Sequence, residues 1–298
     1  MESSPATANF SKIETEELSK LLEESPENLK LVNATCYFGE GKPDPLKQFE
    51  EAHIKGSVHF SIIDIADKST GLTTTLPKQE DWINQTKRLG IKRTDTIVIY
   101  EHQRILTGPR AAWMFRIYGA TDVRLLNGTT TTWIEEGRPT ETSPHTDIYD
   151  TSDEGYDYEF NESMYDTLRS TLIKGYDIVN QVGGHEQVQL VDVRPEPSVT
   201  KGSIPGFANS FCEKYLNEGK TKFKTKADIM NQFTEDGVDL NKALTFSCGS
   251  GVTACIEEAA ACFVGAKETS IFDGSYQEYS KHGEPDFTKS DWETTYEF

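Results

Sequence analysis

The sequence has no long hydrophobic run and few basic residues. No stretch approaches the roughly 20 apolar residues that a helix needs to cross a bilayer. The first 20 residues contain neither an apolar core nor an arginine, so we expect no secretory signal and no typical cleavable transit peptide. The 30 Lys and Arg are outnumbered by 49 Asp and Glu, for a net charge of −19. This charge argues against a nucleic-acid partner or an anionic membrane surface, and an anionic substrate would need a local basic site.

Cysteine is sparse as well. The 298 residues include five cysteines without disulfide-like spacing, which indicates a reducing compartment. The cysteines and the six histidines do not cluster at metal-ligand spacings. We therefore expect no metal and no organic cofactor.

The patterns that are present alternate between helix and strand. The residues Glu14–Glu24 fit an amphipathic helix, whereas Leu29–Thr35 and Thr96–Tyr100 fit strands. This order predicts an α/β fold with a mainly parallel sheet covered by helices on both faces. The length is comfortable for two domains, each large enough for its own core.

An internal repeat organises the chain. The segments YGATDVRLLNGTTTTWIEEGRP and VGAKETSIFDGSYQEYSKHGEP align without a gap. Every matched pair lies 146 positions apart (265 − 119 = 146). The matched pairs are Gly119 and Gly265, Ala120 and Ala266, Gly128 and Gly274, Trp133 and Tyr279, Gly137 and Gly283, and Pro139 and Pro285. We infer a tandem duplication with domains at 10–139 and 161–286, joined by an acidic, Ser/Thr-rich linker at 140–160.

The chemistry is predicted to lie in the segment LTFSCGSGVTACIEEAAAC, Leu244–Cys262. It is typical of a strand, a tight glycine loop and a helix, with Cys248 where the loop begins. Loop N–H groups and the positive end of the following helix favour a thiolate there, which would make Cys248 a nucleophile. Gly249 and Gly251 let the backbone curl around the sulfur, and Ser250 adds a small hydroxyl donor. The alternative is that Cys248 is a small buried hydrophobe, which is how we interpret Cys255 and Cys262 on the helix.

The loop CGSGVT, followed by Ala254, resembles the active-site loop of the two-domain rhodanese family, in its mercaptopyruvate-using branch. Thiosulfate-using members typically carry basic residues where this chain has Gly249 and Ser250. Cysteine phosphatases of related fold need a longer loop closed by an arginine. The resemblance implies tandem rhodanese-like domains and extends the active-site loop through Val252 and Thr253.

The repeat indicates which domain is catalytic. With the offset of 146, Cys248 corresponds to His102, so the first copy lacks the nucleophile. In the resembling family the amino-terminal copy has likewise lost its cysteine.

Three further residues match family positions. Arg194 corresponds to the arginine that holds the carboxylate or anion of the donor, a task that suits its planar, permanently charged fork. Its alternative is a salt bridge to Glu196 or Asp192. Arg110 matches a family arginine at the start of a helix of the first domain, and its role is either structural or substrate-binding. Asp64 lies near the position of an acidic site residue in the family, and its alternative is a solvated surface carboxylate.

The resemblance implies an enzyme that moves sulfur from 3-mercaptopyruvate through a Cys248 persulfide to a thiol acceptor such as thioredoxin, with release of pyruvate. The expected location is mitochondrial or cytoplasmic, with the family favouring the mitochondrion.

Two alternatives stay open because the chain departs from the family around the nucleophile. Where these enzymes often have a histidine shortly before a Leu-Pro pair, this chain has Thr74 and Thr75 before Leu76-Pro77. The protein is then either a thiosulfate-preferring enzyme, which the uncharged loop disfavours, or a rhodanese-fold structural subunit of a larger assembly with little activity.

Overall fold

A computed structural model describes residues 9–143, 173–174 and 187–282. The chain forms two compact units, and each includes a short segment from the other half of the sequence. Unit 1 comprises Met1–Asp67, Leu76–Arg169 and Leu216–Phe223, and unit 2 comprises Lys68–Thr75, Ser170–Tyr215 and Lys224–Phe298.

Unit 1 contains seven strands and five helices among its described residues. The strands are β1 (Asn9–Glu14), β2 (Leu29–Asn33), β3 (His53–Ile54), β4 (Ser57–His59), β5 (Thr96–Glu101), β6 (Asp122–Thr129) and β7 (Thr140–Glu141). The helices are α1 (Thr15–Glu24), α2 (Pro45–Glu51), α3 (Gln79–Arg88), α4 (Gly108–Ile117) and α5 (Thr130–Glu135). Five strands form a parallel sheet in the order β1-β6-β5-β2-β4, and β3 pairs with β7 in antiparallel fashion.

Local sequence explains where these elements begin. The first helix starts where Glu14 and Glu17 form a reciprocal capping box, which satisfies N–H groups that have no partner inside the helix. Helix α4 is buried along its whole length and has Pro109 in its first turn, where a missing N–H costs nothing. The predicted helix over Glu14–Glu24 and the predicted strands beginning at Leu29 and Thr96 are confirmed to within one or two residues at their ends.

An aromatic cluster fills the space between α3, α4 and the sheet of unit 1. Trp82 stacks on Tyr118 with ring centroids 4.3 Å apart, and Phe115 meets the Trp82 ring edge-on at 4.9 Å. Phe60 completes the cluster, and none of these side chains is more than 1% exposed. Burying each large ring contributes roughly 2–3 kcal/mol, so the cluster is a major source of stability for this unit.

Unit 2 has the same architecture. Its strands are β8 (Ile173–Lys174), β9 (Val188–Asp192), β10 (Phe207–Asn209), β11 (Ala243–Ser247) and β12 (Glu268–Phe272). Its helices are α6 (Glu196–Lys201), α7 (Lys226–Glu235), α8 (Ala254–Val264) and α9 (Ser275–His282). The parallel sheet runs β10-β9-β11-β12-β8. No helix in the described part of the chain has the length and apolarity required to cross a membrane.

The two sheets confirm the duplication. The order β4-β2-β5-β6-β1 in unit 1 corresponds strand for strand to β10-β9-β11-β12-β8 in unit 2. The central helices α4 and α8 begin at Gly108 and Ala254, again 146 positions apart. Each copy is therefore a parallel sheet with helices, as the alternation of patterns predicts.

Each unit contains a segment that the repeat does not predict. In unit 1 the Phe223 N–H donates to Asn127 Oδ1 at 2.7 Å, and the Ile105 N–H donates to Lys220 O at 2.8 Å. Within the predicted linker, Thr140–Glu141 is strand β7, whereas 144–160 lie outside the described residues. The predicted domain limits at 10–139 and 161–286 do not include this exchange of segments and stay predictions.

Two neighbouring glutamates are buried on α8. Glu258 is 1% exposed and accepts a hydrogen bond from Thr269 Oγ1 at 2.8 Å. Glu257 is 0% exposed, and neither of its carboxyl oxygens has a hydrogen-bond partner among the described residues. The hydroxyls of Ser210 and Tyr215 lie beside it, but Ser210 Oγ donates to Asp236. Burial raises the pKa of Glu257 well above its usual value.

We predict that Glu257→Met raises the free energy of unfolding by about 1–3 kcal/mol, since an apolar side chain of similar size removes an unsatisfied polar group. The matched control, Glu258→Met, is expected to lower it by a similar amount because Thr269 loses its acceptor. Urea denaturation of the three proteins measures both changes. A clear loss of stability in Glu257→Met would contradict this account.

Candidate active site

Cys248 lies at the carboxyl end of β11 and begins a loop that leads into α8. Its side chain is 2% exposed, and its Sγ accepts a hydrogen bond from the Gly251 N–H at 3.1 Å. The loop thus folds back so that its own backbone donates to the sulfur. The strand, loop and helix order predicted around Cys248 is confirmed.

The curl of the loop requires a glycine at position 251. Gly251 has φ +80°, in the left-handed region that side chains with a Cβ adopt only with strain. Gly249 differs, because its φ is not positive and an added Cβ would meet no atom within 4 Å. Only one of the two loop glycines is therefore required by backbone conformation.

Helix α9 anchors the start of the loop. The Cys248 N–H donates to Ser275 Oγ at 3.1 Å, and the Tyr276 N–H donates to Cys248 O at 3.1 Å. The Gln277 N–H donates to Gly249 O at 2.9 Å. The first turn of α9 therefore uses N–H groups that a helix leaves unpaired to fix the carbonyl groups of Cys248 and Gly249.

A segment from the first half of the sequence anchors the middle of the loop. The Thr74 hydroxyl, which belongs to unit 2, donates to Ser250 O at 2.6 Å. In the same segment, Gly71 O accepts from Lys281 Nζ at 3.1 Å. Ser250 itself is half-buried, as are Gly249 and Thr253, while Val252 is buried.

Helix α8 begins beside the sulfur. Thr253 is its N-cap residue and makes no side-chain capping bond. Within the described residues, the N–H groups of Val252 and Thr253 have no hydrogen-bond acceptor. These donors and the positive end of the helix dipole can stabilise a negative charge in the loop.

The first copy shows what such donors bind. There the Glu101 carboxylate accepts the Leu106 N–H at 2.8 Å and the Thr107 N–H at 2.7 Å. With the offset of 146, these N–H groups correspond to those of Val252 and Thr253, and Glu101 corresponds to Ser247. The first copy therefore caps its loop donors with its own carboxylate, whereas a serine at the same place in the second copy is too short to do so.

Arg194 follows β9, the parallel neighbour of β11, so Arg194 and Cys248 lie at the same edge of the sheet, where the carboxyl ends of the strands meet. Its Nε and Nη2 contact both oxygens of the Asp192 carboxylate at 2.6–3.1 Å, and Nη2 also donates to Gly202 O at 2.8 Å. The guanidinium lies 4.1 Å above the centroid of the Tyr276 ring. The salt bridge to Asp192 considered from the sequence is present, and it holds the guanidinium in a fixed orientation.

The two other predicted site residues lie in unit 1. Arg110 is fully buried, with its guanidinium 4.5 Å from the centroid of the Trp113 ring. Asp64 is exposed. Their roles stay predictions. Among the described residues, no group of three or more His, Cys, Asp or Glu side chains is placed to hold a metal ion.

Three residues around the loop were not predicted from the sequence. Ser275 could have been found from the repeat, because it corresponds to Thr129, the N-cap residue of α5. Thr74 stands where the resembling family often has a histidine, and its spacing does not indicate a contact with the loop. Nothing in the sequence pattern indicates that Tyr276 stacks on Arg194.

We predict that Gly251→Ala lowers the free energy of unfolding by about 1–2 kcal/mol, because the new Cβ is strained at this φ. Gly249→Ala, the matched control, is expected to change it far less. Denaturant unfolding of both variants is the measurement. Equal losses in the two variants would contradict the assignment of the required glycine.

The pH dependence of stability is predicted from Glu101. Burial raises its pKa to about 7, against 4.5 in the unfolded chain. Between these values the folded state keeps a proton that the unfolded state loses, so the stability contribution is complete below pH 4.5 and is lost as the pH rises to about 7. The total loss is about 3 kcal/mol. The measurement is the free energy of unfolding of the wild type and of Glu101→Gln at several pH values between 4.5 and 7. The wild type should lose more stability with rising pH than the variant, because glutamine does not titrate. Equal pH dependence in the two proteins would refute the prediction.

Comparisons with known proteins agree with this geometry. The rhodanese-like domain family matches residues 15–136 and 177–282. The 3-mercaptopyruvate sulfurtransferase of Mus musculus is 31% identical over 269 residues, covering 88% of each chain. The thiosulfate sulfurtransferase of Gallus gallus is 30% identical over 271 residues, covering 87% of this chain and 89% of the other.

Solved structures share the fold. The 3-mercaptopyruvate sulfurtransferase SseA of Escherichia coli superposes with a TM-score of 0.77 at 22% identity, covering 89% of this chain and 98% of that one. Tum1 of Saccharomyces cerevisiae gives 0.80 at 22% identity, covering 93% and 97%. With two matches that together span most of its length, the chain belongs to the rhodanese-like domain family.

Proposed function

We propose that the protein is a sulfurtransferase that takes sulfur from 3-mercaptopyruvate onto Cys248 and passes it to a thiol acceptor. The observation that carries this proposal is the Gly251 N–H donating to Cys248 Sγ at 3.1 Å, in a loop that opens a buried helix. Both curated relatives described above are sulfurtransferases.

The first step forms a persulfide. The Cys248 thiolate attacks the sulfur of mercaptopyruvate, an S–S bond forms, and the C–S bond of the donor breaks. The electron pair of that bond leaves on carbon as the enolate of pyruvate, which takes up a proton and departs as pyruvate. The outer sulfur remains on Cys248 as a persulfide.

The loop is suited to hold this persulfide. Its outer sulfur carries negative charge, and the Gly251 N–H already points at the inner sulfur. The N–H groups of Val252 and Thr253 correspond to the pair that binds the Glu101 carboxylate in the first copy. We infer that they bind the outer sulfur, with the Ser250 hydroxyl as a further donor.

Arg194 is proposed to hold the donor's carboxylate. Its contacts to Asp192 and Gly202 use Nε and Nη2, so Nη1 is the nitrogen proposed to meet the substrate. The carboxylate of Asp192 keeps the fork rigid, which lowers the entropy lost when a substrate binds. Arg110, fully buried in unit 1, and Asp64, exposed in the same unit, stay predictions from the resemblance.

The second step returns the enzyme to its starting state. A thiolate of the acceptor attacks the outer sulfur, the S–S bond breaks, and Cys248 leaves as a thiolate. A dithiol such as reduced thioredoxin suits this step, since its second thiol can release the transferred sulfur as sulfide.

The uncharged loop favours mercaptopyruvate over thiosulfate. Thiosulfate is a dianion and gains from basic side chains in the loop, while positions 249 and 250 here are Gly and Ser. Mercaptopyruvate carries a single carboxylate, which one arginine can bind. The similar identities to the mouse and chicken relatives do not separate the two donors.

A second candidate is a subunit of a larger assembly. A sub-stoichiometric sulfur transferase subunit of yeast mitochondrial complex I has the same fold, with a TM-score of 0.76 at 23% identity. We propose a mitochondrial or cytoplasmic location, consistent with this neighbour and with Tum1.

We predict that the purified protein releases pyruvate from 3-mercaptopyruvate with a thiol acceptor, and that Cys248→Ser lowers the rate by at least about 10³-fold because the nucleophile is lost. Lactate dehydrogenase coupling measures pyruvate, and a parallel thiosulfate-to-cyanide assay measures the alternative donor.

The two assays separate the candidates. Faster turnover of thiosulfate would overturn the choice of donor. Inactivity with both donors, in a folded protein whose Cys248 still alkylates, would overturn sulfur transfer and favour the assembly subunit.

A further inference from the structure

The Ser250–Gly251 peptide has a hydrogen bond on each side. Its carbonyl oxygen accepts from Thr74 Oγ1 at 2.6 Å, and its N–H donates to Cys248 Sγ at 3.1 Å. A trans peptide is planar, and its C=O and N–H point in opposite directions. Any group that fixes the carbonyl therefore also fixes the direction of the N–H.

Glycine makes this peptide easy to turn over. Rotation of the peptide plane by half a turn exchanges the C=O and the N–H, and a following glycine permits both arrangements because it has no Cβ. The flipped form would point a carbonyl oxygen at the sulfur and repel a thiolate. The sequence of the loop alone does not select between these forms.

Thr74 lies where it can select the form with the N–H toward the sulfur. The residue is 2% exposed, so water cannot easily replace its hydroxyl. A hydrogen bond to the carbonyl also polarises the peptide and strengthens its N–H as a donor.

The segment around Thr74 is itself fixed to α9. Thr73 Oγ1 donates to Gln277 Oε1 at 3.1 Å, and Lys281 Nζ donates to Gly71 O at 3.1 Å. The same helix anchors Gly249 O through the Gln277 N–H. Helix α9 therefore contacts both the segment that contains Thr74 and the loop that begins at Cys248.

We propose that Thr74 is a positioning residue that holds the Ser250–Gly251 peptide so that its N–H stabilises the negative charge on Cys248. Its hydroxyl donates to Ser250 O and does not titrate near neutral pH, so it orients the peptide without exchanging a proton. The proposal rests on the nucleophilic role of Cys248 in the proposed function.

The test is the rate at which iodoacetamide alkylates Cys248 as a function of pH, in the absence of any sulfur donor. Thr74→Val keeps the shape of the side chain and removes the hydroxyl. We expect its alkylation midpoint to move to higher pH and its rate at neutral pH to fall about tenfold, the effect of one lost buried hydrogen bond. Thr74→Ser, which restores the hydroxyl, should return to within about threefold of the wild type.

Thr73→Val is the matched control, because it removes a neighbouring hydroxyl that contacts Gln277 and not the loop. We expect its pH profile to shift far less than that of Thr74→Val, because Lys281 still holds the segment through Gly71 O. Circular dichroism confirms folding of each variant, and Thr74→Ala provides the same comparison if the valine variant does not fold.

A folded Thr74→Val protein with the wild-type pH profile would overturn the proposal, even if its turnover falls. A shift that Thr74→Ser does not reverse would also overturn it. Failure of the proposed function looks different: the wild type would then turn over no sulfur donor, while the alkylation profiles would still separate the Thr74 variants.

Discussion

The candidate site depends on the backbone N–H groups of the loop that begins at Cys248, one of which donates to the sulfur. Helix α8 starts directly after this loop, and the N–H groups of Val252 and Thr253 just before it have no acceptor among the described residues. Gly251 adds one more donor by adopting a left-handed conformation. Because these donors belong to the main chain, substitutions in the loop alter them only when they change the path of the backbone. The two anchors on this path, at Ser275 and Thr74, therefore matter as much as the loop sequence.

The two copies differ in what occupies the N–H groups at the start of the central helix. Both have a central helix that follows the third strand of the same sheet order, and both collect N–H groups at its start. In the first copy Glu101 occupies these donors, and burial keeps its carboxyl close to half protonated near neutral pH. In the second copy Ser247 leaves the donors to a sulfur atom or an incoming anion. The difference lies as much in the residue before the loop as in the cysteine itself.

The sequence predicted the features that depend on local order. The strand, loop and helix around Cys248 follow from periodicity and glycine placement within 19 residues, and the constant offset predicted two equivalent sheets. The salt bridge of Arg194 to Asp192 could be considered because the two residues are close in sequence. The hydrogen bond of Thr74 to Ser250 joins residues 176 positions apart, and no pattern of hydrophobicity or spacing encodes such a contact. The exchange of 68–75 and 216–223 between the units was missed for the same reason.

This exchange bears on how a duplicated gene can change. A copy that has lost its nucleophile is normally free to shrink or disappear, but here the first half of the chain supplies Lys68–Thr75 to the unit that contains Cys248. The second half in turn supplies Leu216–Phe223 to the unit without it. Deleting either half of the chain would therefore remove a part of the other unit as well. The first half of the chain thus contributes eight residues to the unit that contains the candidate nucleophile, whatever chemistry its own sheet performs.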